Sequence, residues 1–403
     1  MAVFTTSSDR VHVLDVLRGI ALLGMFIVHF SDWSSGEGYF ADTYKTIVWR
    51  LFEERFWAMF GILFGVGFAL QFRRAEERGE VFLWKYLRRM AGLAAFGVIA
   101  HAVFGFNVLL GYAAWGVPLV LVRNWSIRAL IAALVLSAMS WNIYSIARLS
   151  YGVATKGEPA VRADGEAAAA SNRAFLADNR HAQTSTRYAD VFAARWRHMR
   201  WFYAQPFSFL PVNTLTLFLL GVLGWRLGVF ERPHEHRPLI GALMVFGAAS
   251  WIVATWIIPD PPATLATPMV RNLIVLRLAG GLGLIREMWL AFTYAGLVLL
   301  LVARDPLWVR RLAVFGWTGR MALTNYMIQI AILDVLFSNY ALGLKIAPLV
   351  GLALAIALFL ADAALSRWWL MRFSYGPFEW LWRSITYARW QRWQTEAAPS
   401  AAQ

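Results

Sequence analysis

Val13-Leu14-Asp15-Val16-Leu17-Arg18-Gly19-Ile20-Ala21-Leu22-Leu23-Gly24-Met25-Phe26-Ile27-Val28-His29-Phe30 decides the fold. At 1.5 Å per residue a helix of this run crosses most of a hydrocarbon layer roughly 30 Å thick. It is not read as a cleaved leader. Asp15 and Arg18 interrupt it, and Phe30-Ser31-Asp32 offers no small-x-small cleavage site. It is read as a first membrane-spanning helix.

Similar runs recur along nearly the whole chain. Of its 403 residues 59% are hydrophobic and 15% are charged, against about a quarter charged in an average soluble domain. Lipid cannot satisfy an open backbone, so repeated apolar runs predict helices. The expected fold class is an all-α polytopic transmembrane bundle forming a single membrane domain. Ten spans are predicted, at 13–30, 53–72, 90–106, 107–122, 127–147, 206–229, 238–258, 286–303, 312–336 and 345–366. The net charge of +14 does not signal nucleic acid. The arginines flank apolar runs, where they meet lipid headgroups and set topology, so membrane lipids are the expected partners. With no cysteine, disulfides and thiolate chemistry are excluded.

Lysine and arginine in the short loops orient the chain. Arg73, Arg74, Arg78, Lys85, Arg88 and Arg89 mark one loop as cytoplasmic; Arg123, Arg128, Arg232, Arg237, Arg304, Arg310 and Arg311 then fall on the same side. Both termini are expected inside, with 367–403 a cytoplasmic tail. Residues 148–205 are expected outside. In that loop Lys156 to Ala170 is read as mobile. Residues 186–204 place Tyr188, Phe192, Trp196, Met199 and Tyr203 at helical spacing, an amphipathic helix suited to the membrane surface. A lid over a substrate site is the alternative.

A charge within a membrane helix is costly and marks a candidate site. Arg18 and His29 are about 1100° apart on a helix, three turns plus roughly 20°, and therefore share a face. Asp15 joins that face and can pair with Arg18. Two readings remain open: an ion pair and a core histidine that merely position the helix, or a binding charge and a reactive imidazole. Glu53 and Glu54 begin the second span at a depth where a carboxylate could orient His29. Late in the chain Arg320 and Thr324 are expected to share a face, and Asn325 and Gln329 a neighbouring one. Arg320 suits bidentate binding of phosphate or carboxylate; the group could equally join helices. Histidines 234 and 236 lack further ligands at metal spacing, so no metal is expected. Gly280-Gly281-x-Gly283 follows no strand and is not read as a nucleotide loop.

Four stretches carry a resemblance: Arg10 to Gly24, Phe60-Gly61-Ile62-Leu63-Phe64-Gly65-Val66-Gly67-Phe68, Gly319-Arg320-Met321-Ala322-Leu323-Thr324-Asn325-Tyr326 with Gln329, and Gly376-Pro377-Phe378-Glu379-Trp380-Leu381-Trp382-Arg383. Together they resemble the YeiB-like bacterial membrane proteins, defined by a domain of unknown function. More distantly the chain resembles the transmembrane acyltransferases, among them the acyltransferase-3 enzymes and heparan-α-glucosaminide N-acetyltransferase. Acyltransferase-3 proteins have an arginine, ten residues and a histidine in their first helix, as Arg18 and His29 stand here. Two departures accompany the resemblance. YeiB-like proteins often carry asparagine where His29 stands. Their third-helix motif has an aspartate before Ile-Leu, where this chain has His101 and then Asn107-Val108-Leu109. The resemblance implies a multi-pass protein of the bacterial cytoplasmic membrane. It implies transfer of an acyl group from a cytoplasmic acyl-coenzyme A, a co-substrate and not a tightly bound cofactor, to an external sugar or lipid-linked acceptor. Arg18 would then serve the donor, and His29 would be the base or acyl carrier. A carrier or flippase for an anionic or amphipathic small molecule, using Arg18 and Arg320 as binding charges, is the competing expectation.

Overall fold

The computed structural model describes residues 7–33, 41–106, 108–205, 214–256, 265–279 and 286–394. Among these the chain is helical and forms no strand, with one isolated bridge between Phe373 and Gln394. The first half comprises α1 (Ser7–Trp33), α2 (Ala41–Leu51), α3 (Arg55–Glu77), α4 (Phe82–Phe104), α5 (Val108–Gly116), α6 (Leu119–Val122) and α7 (Ile127–Lys156). The long loop contains α8 (Glu158–Gln183) and α9 (Tyr188–Ala204). Then follow α10 (Thr214–Arg226), α11 (Arg237–Trp256), α12 (Met269–Ala279), α13 (Arg286–Arg304), α14 (Leu307–Arg311), α15 (Ala313–Arg320), α16 (Ala322–Phe337), α17 (Pro348–Leu370) and α18 (Pro377–Tyr387).

The described part of each predicted apolar stretch falls mainly on a helix or helix pair. Five helical segments among the described residues, His12–Trp33, Ala41–Glu77, Phe82–Phe104, Ile127–Lys156 and Pro348–Leu370, are individually long and apolar enough to cross a membrane. Several others, such as Thr214–Arg226, are apolar but shorter. The protein is therefore a helical membrane protein.

Small residues set how closely these helices meet. A Cβ on Gly19 would overlap the Phe315 carbonyl, and one on Gly319 the Asp15 carbonyl, so α1 and α15 cross with backbones nearly touching. Gly65 against Phe218 and Gly221 against Ile62 do the same for α3 and α10. Lipid tails are as apolar as leucine, so close van der Waals contact rather than hydrophobic burial drives such crossings. The α1–α15 crossing brings Asp15, Arg18 and Arg320 together.

One expectation needs correction and three gain detail. Most of Lys156 to Ala170 lies in α8, whose Ala-rich composition favours helix. The predicted ninth span is not one helix. It breaks at Met321, with α15 and α16 bent by 86°, so Arg320 and Thr324 do not share a continuous helical face. In the region expected as a tail, residues 367–370 continue α17, and α18 packs against α4 and α16. The expected amphipathic helix spans Tyr188–Ala204. It buries Val191, Ala194, Arg195 and Met199 against the bundle and turns Tyr188, Phe192 and Trp196 outward.

Candidate functional site

A cavity of about 430 Å³ opens among α1, α3, α4, α5, the α15–α16 break and α18. Its ends differ in chemistry. At one end stand Arg18, Gln71, Arg89, Arg320 and Arg383; towards the bundle middle the lining becomes Met25, Phe60, Phe64, Leu93, Val108 and Leu109. From Asp15 to Met25 along α1 is about 15 Å, half the thickness of a hydrocarbon core.

The arginine end carries a surplus of positive charge. Arg18 donates to Asp15 at 2.8 Å, which engages one of the two carboxylates that line the cavity. The other, Glu379, is also engaged. The break at Met321 strips the first turn of α16 of its helical acceptors. Glu379 Oε1 accepts from the Leu323 and Thr324 backbone N–H groups at 2.6 and 3.1 Å, and Oε2 accepts from the Thr324 hydroxyl at 2.5 Å. A carboxylate at a helix N-terminus also complements the helix dipole. Burial raises the Glu379 carboxyl above its ordinary range, opposed by these hydrogen bonds. A Cβ on Gly376 would strike Glu379 Oε2, so glycine there lets the carboxylate reach α16.

Two of the remaining arginines, Arg89 and Arg383, are steered by aromatic rings. Arg89 lies 3.6 Å over the Trp382 ring, whose Nε1 donates to the Arg89 carbonyl at 2.7 Å. Arg383 lies 4.4 Å over Tyr375. A guanidinium stacked on a ring keeps its N–H edge for a further acceptor. Four guanidiniums around one cavity, with both carboxylates occupied, suit an anion of more than one charge.

His29 lies one turn beyond Met25 on the same face of α1, outside the cavity lining. Its ring packs 4.8 Å from Phe106, and its buried Nδ1 has no hydrogen-bond partner. Glu53 and Glu54 occupy the turn between α2 and α3, where Glu54 adopts φ 64°. The Glu53 carbonyl accepts from the buried Arg55 guanidinium, and its carboxylate lies in the field of Asp32. Neither glutamate supplies a hydrogen bond to His29 Nδ1.

Three other candidates sit away from the arginine end. Asn325 is buried and donates to the Thr318 carbonyl at 3.1 Å and to Ser366 Oγ at 2.9 Å, tying the broken helix to α17. Gln329 is buried with its Nε2 unpartnered. His101 is fully buried and meets His198 of α9, Nε2 to Nδ1, at 3.2 Å. Burial lowers His198 from its ordinary value. Asn107 lies outside the described residues.

The loop helix is locked down beside that histidine pair. Arg195 forms a buried ion pair with Asp334 of α16 at 2.5 Å and also donates to the Val103 carbonyl. Tyr340 donates to the same aspartate. Tyr203 of α9 stands 6.0 Å from the His101 ring and lies in the electrostatic field of Tyr326, which lines the cavity. Thus α9 packs against α4 and is tied to α16, and none of its residues lines the cavity.

Sequence reasoning singled out Asp15, Arg18 and Arg320, which line the cavity, but missed Arg89, Arg383 and Glu379. It counted Arg89 as a topology anchor and met Glu379 and Arg383 within a stretch that carries the resemblance. Asp334 and Asp362 carried a legible signal, since each is a carboxylate inside an apolar run. Asp362 is buried with neither carboxylate oxygen hydrogen-bonded.

The family described as protein of unknown function DUF418 matches residues 224–389. The catalytic region of heparan-alpha-glucosaminide N-acetyltransferase matches residues 10–159. The chain is 29% identical to the uncharacterized protein YxaH of Bacillus subtilis, covering 96% of each. It is 26% identical to an uncharacterized 39.9 kDa protein from the amylase 3' region of Bacillus acidopullulyticus, covering 94% of this chain and 95% of that one. Over 17% of this chain and 18% of the other it is 46% identical to the uncharacterized protein YeiB of Escherichia coli. No solved structure matches.

Proposed function

We propose that the chain, which matches DUF418 over residues 224–389 and the catalytic region of heparan-alpha-glucosaminide N-acetyltransferase over residues 10–159, is a membrane acyltransferase. The donor is an acyl thioester with a multiply charged, phosphate-bearing head, of the acyl-coenzyme A kind. The observation that carries this reading is the cavity with four arginines at one end, an apolar interior, and His29 one turn above it.

The head lies among Arg18, Arg89, Arg320 and Arg383, where planar guanidiniums bind phosphate oxygens in pairs. With the arginine end on the cytoplasmic side, as the loop charges favour, the thioester points into the bundle. An acceptor hydroxyl or amine arriving from the opposite side attacks the thioester carbonyl, and a His29 ring nitrogen takes its proton. The carbon–sulfur bond breaks, and the thiolate leaves and is protonated. The unpartnered Nδ1 leaves a ring nitrogen available for that work.

The test is His29→Asn, which preserves size but cannot accept a proton near neutral pH. The variant should keep its melting temperature and its binding of coenzyme A, while acyl transfer falls by at least about a hundredfold. Full biological activity in this variant sinks the mechanism. A carrier for an anionic molecule has its own support: the helix broken at Met321 borders the cavity, as interrupted helices do in transporters. Uptake of coenzyme A into proteoliposomes without acyl transfer would favour it.

A further inference from the structure

We propose that the groove between α15 and α17 holds one anionic phospholipid, with its phosphate on Arg367 and a hydrocarbon chain along the groove. This site shares no lining residue with the central cavity and does not depend on the donor reading. The two helices are pinned along their inner edge. Phe315 and Phe359 meet with ring centroids 5.8 Å apart, and Asn325, just beyond the break, donates to Ser366 Oγ at 2.9 Å. Along the outer edge α17 presents only the small Ala363 and Ala364 towards Val314 and Trp317. A space of about 310 Å³ is left between them.

Position and charge select the occupant. Leu360 and Trp368 border the groove and are exposed, so in a membrane it opens sideways to lipid. From Leu360 to Arg367 is about 10 Å along the helix axis, a length that seats part of one acyl chain. At the C-terminal end of α17 the apolar lining gives way to charge. The Arg367 guanidinium lies 4.9 Å over the Trp317 ring, and that of Arg372 lies 4.4 Å over Trp368. Both tryptophans line the groove, and indoles favour the headgroup boundary. Stacking holds each guanidinium in place and leaves an N–H edge for phosphate oxygens. Among the described residues no carboxylate lines the groove. A zwitterionic lipid would bring its ammonium towards two positive charges, whereas an anionic headgroup neutralises them.

Native mass spectrometry of the full chain, delipidated in detergent and titrated with phosphatidylglycerol or phosphatidylethanolamine of identical chains, tests the site. The parent should hold its first phosphatidylglycerol about tenfold more tightly than phosphatidylethanolamine. Arg367→Gln should cut that preference about threefold. Ala364→Phe fills the groove without altering charge and should weaken both lipids by about tenfold. Both positions are exposed, so both variants should fold. Arg311, stacked 4.9 Å over Trp308 and outside the groove lining, supplies the control. Arg311→Gln should keep the parent's preference. Equal retention of the two lipids by the parent overturns the site. It is equally overturned if Ala364→Phe binds phosphatidylglycerol as the parent does. An Arg311→Gln protein that loses as much preference as Arg367→Gln would reveal diffuse attraction to a basic surface and overturn it too.

Discussion

Three glycines within two turns of α3 do different work. Gly61 meets the Leu217 side chain and Gly65 the Phe218 carbonyl, so both exist to let α10 approach. Gly67 faces the cavity instead: a Cβ there would meet only Arg18 Nη2 at 3.7 Å and Gln71 Nε2 at 3.9 Å. Substitutions should separate these roles. Gly65→Ala forces backbone apart and should cost about 1–3 kcal/mol, read as a lower melting temperature. Gly67→Leu has room, and a better helix former should leave the melting temperature unchanged or slightly higher. It should nevertheless weaken coenzyme A binding by at least about tenfold, because the side chain fills cavity space beside Arg18. Normal coenzyme A binding by Gly67→Leu would mean that the donor does not lie in this cavity.

Two elements are held by buried polar contacts with residues far away in the chain. The first turn of α16 exists as an ordered helix start because Glu379, from α18, supplies the acceptors that the break removed. The helix α9 is fixed by Arg195 and Asp334, whose side chains are 2% and 3% exposed. Removing one member of such a pair strands the other charge, whereas replacing both with apolar groups of similar volume is often neutral. Arg195→Met or Asp334→Leu alone should therefore destabilise the protein by about 3–5 kcal/mol, and the double variant should recover most of it. Trypsin accessibility of Arg197 and Arg200 offers a local readout: rapid cleavage in the single variants and slow cleavage in the double. Additive losses would show that the pair is not what holds α9.

At the scale of the whole molecule the asymmetry of the cavity has meaning only with an orientation. The loop arginines predict that the arginine end, α18 and both termini face the cytoplasm while α8 and α9 face outward. The chain has no cysteine, so single cysteines at Ala169 in α8 and at Ala397 give clean probes. An impermeant thiol reagent on intact cells should label Ala169→Cys and spare Ala397→Cys. The reverse pattern would put the arginines on the outside and remove the cytoplasmic donor from the proposed reaction.

By itself the sequence determined that the protein is a helical membrane bundle, because long apolar runs leave the backbone no alternative in lipid. It also marked Asp15, Arg18 and Arg320, since a charge next to an apolar run is conspicuous without any knowledge of its neighbours. Tertiary structure decided the rest. Arg89 and Arg383 lie in positions where an arginine ordinarily anchors to lipid headgroups, and only stacking on Trp382 and Tyr375 turns them into the cavity. Glu379 is far along the chain from the helix start it completes, and the break at Met321 sits within an uninterrupted apolar pattern. Local periodicity records which residues can face a core. It does not record which helix supplies the opposite wall, because close crossings such as Gly19 against Phe315 are made between segments with no shared local signal.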